Sequence, residues 1–269
     1  MIVPKSVWPG RVPGSRDSRD RGAPPQLANY RLVVEYDGGR YSGFQSQKNA
    51  RTVAGELAAS IGAVIGRAVT IIGAGRTDAG VHAEGQVVNF LASPGRDPQR
   101  LRDDVNERLP ADINVVAVDL APRDFHARSH ATSRLYRYQI LRRRDAFRKA
   151  YAWWVKQPID FARVAAEAVS IVGQHDFASF TDETDVDTMV RIGGAVWSEA
   201  GDLLLFRVSA DHFVYKMVRR LVGAMVEVGC GRARPGLLAD LIAEPRFGAT
   251  AEITAPPAGL FLERVTYPR

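Results

Sequence analysis

Gly73-Ala-Gly-Arg-Thr-Asp-Ala-Gly-Val-His-Ala83 carries three glycines within eight positions, the densest cluster of unusual residues in this 269-residue chain. Such spacing indicates a backbone that lies against another group or adopts dihedral angles closed to most residues. The stretch has neither the G-x-x-x-x-G-K-[ST] pattern of phosphate loops nor a full G-x-G-x-x-G pattern. A bound nucleotide cofactor is therefore not predicted, and we expect the side chains of the stretch to carry its chemistry.

Regular elements surround this stretch in the order strand, helix, strand, helix, strand. They are predicted from apolar residues at strand or helical spacing and from the helix start Asp97-Pro98. The elements are a strand over 30–36, a helix over 53–64, strands over 85–91 and 113–118, and a helix from 98 to about 109.

The remainder of the chain repeats this order, which is the order of a split β-α-β-β-α-β unit. The predicted elements are a strand over 135–141, a helix over 161–171, a hairpin of 192–197 with 203–208, helices over 213–228 and 237–242, and a closing strand over 260–265. We therefore predict an α+β fold with an N-terminal half over 29–125 and a C-terminal half over 126–269. These ferredoxin-like (RRM-like) halves are expected to share a mixed, mainly antiparallel sheet flanked by helices and loops.

The positive charge of the chain indicates a polyanionic partner, since its net charge is +6 and its pI is about 9.7. Half of the excess lies in residues 1–28, whose proline-rich composition predicts a disordered basic extension that is dispensable for chemistry. A sharper cluster is opposed only by Asp145. Its cations are Arg128, Arg134, Arg137, Arg142, Arg143, Arg144, Arg148 and Lys149. Planar guanidinium groups suit phosphates, so the cluster predicts a nucleic-acid contact, and a solvated charged face is the alternative.

Three residues in and beside these features are candidates for a site. Asp78 is a candidate catalytic carboxylate, although an aspartate near glycine also commonly bonds to its own turn. Arg76 is a candidate for holding an RNA phosphate or displacing a base, with an ordinary surface arginine as the alternative. Tyr136 shares one strand face with Tyr138, and either ring is suited to stacking on a base or to core packing.

The helix predicted over 213–228 supplies further candidates. Its core stripe runs through Val214, Val218, Leu221 and Met225, and Arg219 borders that stripe. A buried arginine requires an acidic partner, for which Asp78 is an attractive candidate, while a structural ion pair or an arginine reaching to solvent is the alternative. Lys216 and Arg220, on the same segment, are predicted substrate contacts.

The sequence also predicts what the protein lacks. No apolar run approaches the ~20 residues that span a bilayer, and no secretory signal is present, so we expect a soluble cytoplasmic protein with no membrane contact. The single cysteine, Cys230, excludes an internal disulfide and a thiolate-based zinc site. His126 and His130 lack the glutamate of an H-E-x-x-H motif, so no metal is predicted.

The stretch over 73–83 resembles the signature of the TruA family of tRNA pseudouridine synthases. The similarity covers approximately residues 29–269. It continues through Tyr41-Ser-Gly-Phe-Gln-Ser-Gln47, Phe125-His-Ala-Arg128, Arg134-Leu-Tyr-Arg-Tyr138, His175-Asp-Phe-Ala-Ser-Phe180, residues 213–223 and Gly259-Leu-Phe-Leu262. The resemblance implies a pseudouridine-synthase fold, a cofactor-free isomerase, a homodimer, and a target uridine in the anticodon stem-loop at tRNA positions 38, 39 and 40.

The same resemblance implies roles for individual residues. It makes Asp78 the nucleophile, Arg219 its ion-pair partner, and Arg76 an aid to base extrusion. Tyr136 is expected to pack against the target base, and Leu260 to line the pocket. Two rival hypotheses remain: an RNA-binding protein without catalysis, and a small-molecule enzyme that uses the glycine loop for phosphate.

Overall fold

The computed structural model describes residues 27–268. They form β1 (Ala28–Tyr36), α1 (Val53–Ile65), β2 (Ile72–Gly73), β3 (His82–Ala92), α2 (Pro98–Asn106), β4 (Ile113–Ala121), β5 (Ser133–Leu141), β6 (Trp153–Trp154), α3 (Phe161–Ser170), β7 (Gly173–Asp176), β8 (Met189–Ala200), β9 (Leu203–Ala210), α4 (Met217–Gly229), α5 (Leu237–Ala243) and β10 (Leu260–Thr266). Within this range, no helix has the length and apolar character that crossing a bilayer requires. The predicted disordered extension lies outside the described residues, apart from its last two, and Ala28 already begins β1.

One sheet runs through the whole described chain in the order β4-β1-β3-β10-β5-β9-β8-β7, with β2 on β3 and β6 on β5. Its pairings are antiparallel except for β10 with β3 and β6 with β5. The predicted α+β class and mainly antiparallel sheet are therefore confirmed. Strand β10 lies between β3 and β5 and so joins the two predicted halves, while their boundary at residue 125 stays a prediction.

The elements form where local signals are strong. Thr52 caps α1 by accepting a hydrogen bond from the Gly55 backbone N–H, and Asp97 caps α2 in the same way ahead of Pro98. In β1, Leu32 and Val34 are fully buried, and Val33 between them is partly exposed. The sheet therefore packs a continuous apolar core beneath its helices.

Helix α4 differs from its prediction, because it begins at Met217 and not at residue 213. The cause is Lys216, whose φ of 61° places it in the left-handed region, where a side chain crowds the backbone. Residues 213–216 are consequently a loop. Helix α4 is buried on nearly every side, and a Cβ on Gly223 would lie only 1.6 Å from the carbonyl oxygen of Ile253.

Candidate active site

A cavity of about 230 Å³ lies where the loop before β3 meets β5, the first residue of β10 and the start of α4. The predicted site residues that line it are Arg76, Asp78, Arg128, Arg134, Tyr136, Lys216, Arg219 and Leu260. The fold thus collects residues from four distant segments around one cavity. Arg137 and Arg220, which were also predicted as substrate contacts, do not line it.

The loop that carries Asp78 is fixed by close backbone packing. A Cβ on Gly73 would lie 2.3 Å from the ring of Phe44, and Gly80 has a φ of 78°. Between these glycines, the Thr77 hydroxyl is 2.8 Å from the buried hydroxyl of Tyr36. The Thr77 carbonyl accepts a hydrogen bond from the Phe44 N–H at 3.1 Å. Gly73 and Gly80, two of the three signature glycines, therefore provide the close approach and the special dihedral angle that their density predicted.

Asp78 and Arg219 form an ion pair at the cavity wall. Nη1 of Arg219 donates to Oδ2 of Asp78 at 2.7 Å, and the two side chains are only 13% and 22% exposed. Nε of the same guanidinium donates to the carbonyl of Ala255 at 2.8 Å. The pairing proposed from the sequence is therefore present, and Arg219 is anchored on a second side. This anchoring fixes the direction in which the carboxylate points.

An apolar and aromatic wall lies beside the ion pair. The Tyr136 ring meets the Phe213 ring edge to face, with centroids 5.1 Å apart. Burial raises the pKa of Tyr136 well above its usual range, so its hydroxyl stays neutral at physiological pH. Tyr138 lies in the core, where its hydroxyl donates to the carbonyl of Pro256 at 2.7 Å. Of the two tyrosines on this strand face, only Tyr136 lines the cavity.

Besides Arg219, four cations border the cavity, and they fall into two groups. Arg76 and Arg128 are exposed, and the Lys216 ammonium lies 4.7 Å from the centre of the Tyr215 ring. Arg134 is different, because its guanidinium donates to the backbone carbonyls of Arg128 at 2.7 Å and Ala74 at 3.0 Å. Burial also lowers its pKa. Arg134 therefore forms part of the cavity wall, whereas Arg76, Arg128 and Lys216 are placed to contact an anion.

The structure corrects the predicted roles of Arg137 and Arg220. Arg137 is neutralised by Glu84 and Glu263, at 2.6 and 2.9 Å. Arg220 is 1% exposed and bonds to the half-exposed Asp182, so its own guanidinium is out of reach of RNA. The helical pattern did not reveal this burial, because α4 has packing partners where an isolated amphipathic helix would face solvent.

The predicted basic cluster is likewise divided. Arg128 borders the cavity, whereas Arg142 and Arg143 follow the other end of β5, where they pair with Glu199 and Asp202. The first and last residues of β5 are eight positions apart, which is about 27 Å at ~3.4 Å per residue, so closeness in sequence did not mean one surface.

Several lining residues were not predicted. Phe213 and Tyr215 precede α4, and Glu183 belongs to an acidic run over 182–187. His212 places Nδ1 2.9 Å from Oδ1 of Asp211. The aromatic residues directly before a long apolar helix were the available signal for the first two. Among the described residues, no group of three or more His, Cys, Asp or Glu side chains has the arrangement of a metal site.

Known proteins resemble this chain over most of its length. The sequence profile described as tRNA pseudouridine synthase matches residues 32–128 and 168–268. The chain belongs to the tRNA pseudouridine synthase family. This match includes the Asp78 loop, Arg128, Arg219 and Leu260, whereas Arg134 and Tyr136 lie between its two segments.

Individual relatives extend the similarity over most of the chain. This chain is 38% identical to tRNA pseudouridine synthase A of Dictyoglomus turgidum, over 90% of this chain and 100% of the relative. It is 41% identical to the protein of that name from Moorella thermoacetica, over 88% and 98% of the two chains. The Hyphomonas neptunium protein is 40% identical over 90% and 99%. Membership in the tRNA pseudouridine synthase family thus extends across both predicted halves.

Proposed function

We propose that this protein is an isomerase that converts uridine to pseudouridine in the anticodon stem-loop of tRNA, at positions 38, 39 and 40. Membership in the tRNA pseudouridine synthase family supports the reaction. The observation that carries the proposal is the Asp78–Arg219 ion pair in a cavity that Tyr136 and Leu260 also line. The choice of tRNA positions rests on the resemblance to the TruA family alone.

The reaction rearranges bonds within one nucleotide. The bond between N1 of uracil and C1′ of ribose breaks, the base turns, and a bond from C5 to C1′ forms, while C5 loses a proton and N1 gains one. Asp78 acts as the nucleophile, either on C1′ of the ribose or on C6 of the base. The anchored guanidinium of Arg219 holds the carboxylate toward the bound nucleotide. No redox step occurs, and no metal or cofactor is required.

The detached base must be retained until it has turned. A cavity of about 230 Å³ suits one nucleoside and not a base-paired segment, so the uridine must leave its stack to enter. Tyr136 and Leu260 supply apolar surface around the base and limit the access of water. The neutral hydroxyl of Tyr136 adds no charge that would compete with Asp78.

Extrusion of the base is offset by contacts with the RNA backbone. Unstacking and unpairing cost a few kcal/mol. Arg76, Arg128 and Lys216 border the cavity with cationic groups placed to meet phosphates on either side of the extruded nucleotide. These contacts read the shape of the RNA and not its sequence.

The proposal includes a cytoplasmic homodimer whose two subunits hold one tRNA. Its support is the resemblance to the TruA family together with a substrate longer than one subunit. Sedimentation at the working concentration measures this directly. A fully active monomer would contradict it.

Release of tritium from C5 of uracil tests the reaction, because isomerisation frees that hydrogen and binding does not. A tRNA transcript labelled at uracil C5 is incubated with the full-length protein. We expect release that saturates with tRNA and is absent when positions 38–40 carry cytidine. Tight binding without release would instead establish an RNA-binding protein without catalysis.

A further inference from the structure

The loop between β5 and β6 exposes an aromatic side chain among cations. Phe147 is 92% exposed, the highest value for any large apolar side chain within residues 27–268. An isolated exposed apolar residue needs no explanation, but this one lies in Arg142-Arg-Arg-Asp-Ala-Phe-Arg-Lys149. The cavity and its ion pair make no use of this loop.

A turn built on Asp145 presents Phe147 outward. The carboxylate of Asp145 accepts hydrogen bonds from the backbone N–H groups of Phe147 at 2.9 Å and Arg148 at 3.1 Å. The hydrogen bond from Arg148 and, to a smaller extent, the one from Phe147 lower the pKa of Asp145. The Tyr151 N–H closes the turn on the Arg148 carbonyl at 2.9 Å. The exposure of Phe147 therefore belongs to a defined turn.

A second aromatic side chain and several cations lie nearby. The Arg144 guanidinium lies 5.4 Å from the centre of the Trp154 ring, which is itself 40% exposed. The five cations of the loop face only three carboxylates, those of Asp145, Glu199 and Asp202, so a net charge of two remains. Exposed aromatic rings among unneutralised cations are the combination that binds unpaired nucleotides, by stacking and by phosphate contact.

The loop is separated from the cavity. Leu141, the last residue of β5, is five residues from Tyr136, which is about 17 Å at ~3.4 Å per residue. Phe147 follows six residues later. One extruded nucleotide in the cavity cannot span that distance.

We propose that residues 142–149 form a second RNA-binding surface, on which an unpaired base of tRNA outside the anticodon arm stacks on Phe147. Arg144, Arg148 and Lys149 contact the adjacent phosphates. This inference rests on the proposed function, since it assigns a second contact to the same substrate. The surface contributes affinity for whole tRNA and takes no part in the chemistry.

Binding isotherms for two RNAs test this surface. The probes are a full-length tRNA transcript and the isolated anticodon stem-loop of the same sequence. For Phe147→Ala we expect Kd for the whole tRNA to rise about tenfold, a modest loss for one stacked base, and Kd for the stem-loop to stay unchanged. The kcat for tritium release at saturating tRNA should equal that of the unmodified protein.

Two variants serve as controls. Phe147→Tyr keeps the ring and should restore the Kd for whole tRNA. Val169→Ala removes apolar surface from a side chain that is 72% exposed on α3, and it should change neither Kd. A general effect of losing exposed apolar surface would appear in both alanine variants.

Three results would overturn the proposal. The first is an unchanged Kd for whole tRNA in Phe147→Ala, and the second is an equal rise in Kd for whole tRNA and for the stem-loop. The third is sedimentation of that variant as a smaller species than the unmodified protein, which would assign the loop to self-association. Failure of the proposed function is separate, because it would remove tritium release from the unmodified protein while leaving the difference between the two isotherms intact.

Discussion

Asp78 accepts a 2.7 Å hydrogen bond from Nη1 of Arg219, a residue 141 positions later in the chain, while Nε of that guanidinium is held by the Ala255 carbonyl. The carboxylate is thus aimed by a group that cannot rotate freely. Replacing Asp78 with Asn preserves the shape but removes the charge and the nucleophilic oxygen. We expect tritium release at saturating tRNA to become undetectable.

Binding by Asp78→Asn should survive, because the cations around the cavity are unchanged. A tRNA isotherm and a melting curve for the same variant separate the possibilities. Near-normal release would show that Asp78 is not the nucleophile. Lost binding in a folded variant would make it part of the recognition surface.

Arg220→Met should leave tRNA binding unchanged. The guanidinium is buried against Asp182, and methionine can fill similar space without a charge to desolvate. We expect the free energy of unfolding to change by less than about 1 kcal/mol. Asp182→Asn should lower the free energy of unfolding by about 2 kcal/mol, because it leaves the buried Arg220 cation without a charged partner. Water reaches the half-exposed Asp182 position and limits this loss.

Urea denaturation and tRNA isotherms on both variants check this pair. Lys216→Met is the matched binding control, since Lys216 borders the cavity. Weaker tRNA binding by Arg220→Met than by Lys216→Met would contradict the burial of Arg220.

The salt dependence of tRNA binding should distinguish Arg128 from Arg137. Each phosphate contact that is lost lowers the slope of log Kd against log salt by about 1. We expect that change for Arg128→Gln, which removes an exposed cation at the cavity. Arg137→Gln should leave the slope unchanged, because Glu84 and Glu263 already neutralise Arg137. Equal slopes for the two variants would be inconsistent with this division of the basic cluster.

Protonation of His82 should make the folded protein less stable in mild acid. Burial lowers the pKa of His82 below 6.5, although Asp37 at 3.0 Å opposes the shift. The folded state therefore favours the neutral ring, and its contribution to stability is present above pH 6.5 and lost as pH falls through the folded pKa. We expect urea midpoints to decline from pH 7.5 to 5.5.

His82→Asn is the variant that isolates this effect. Its side-chain oxygen can still accept the hydrogen bond that the Gly38 N–H now gives to Nδ1 of His82. The variant should be less stable throughout, because the ring also stacks on Phe261, but its decline with acid should be smaller. An identical decline in both proteins would assign the acid sensitivity to other groups.

Local signals in the sequence predicted much of the fold. Asp97 caps α2 where the Asp-Pro pair predicted a helix start, and β1 covers the strand predicted over 30–36. Two-residue strands such as β2 were missed, because pairing with β3 and not composition defines them. The start of α4 was misplaced because the left-handed backbone of Lys216 has no sequence signature.

The site was predicted less evenly. The pairing of Asp78 with Arg219 was anticipated from the helix pattern and the family motifs, and their catalytic roles stay predictions. The environment of each arginine depends on tertiary partners. Arg134 bonds to backbone carbonyls, and Arg220 lies inside the protein against Asp182. Sequence records the charge of such residues but not the acceptors that surround them.

Because of the position of strand β10, the cavity is completed only when the end of the chain has been synthesised. Residues 260–266 emerge from the ribosome after every other described element, yet they form the strand between β3 and β5 and supply Leu260 to the cavity. A nascent chain that stops before residue 260 therefore has two unjoined sheet edges and an open site. Modification of RNA by this protein consequently awaits translation of its last strand, and premature termination products should bind or aggregate without turning over substrate.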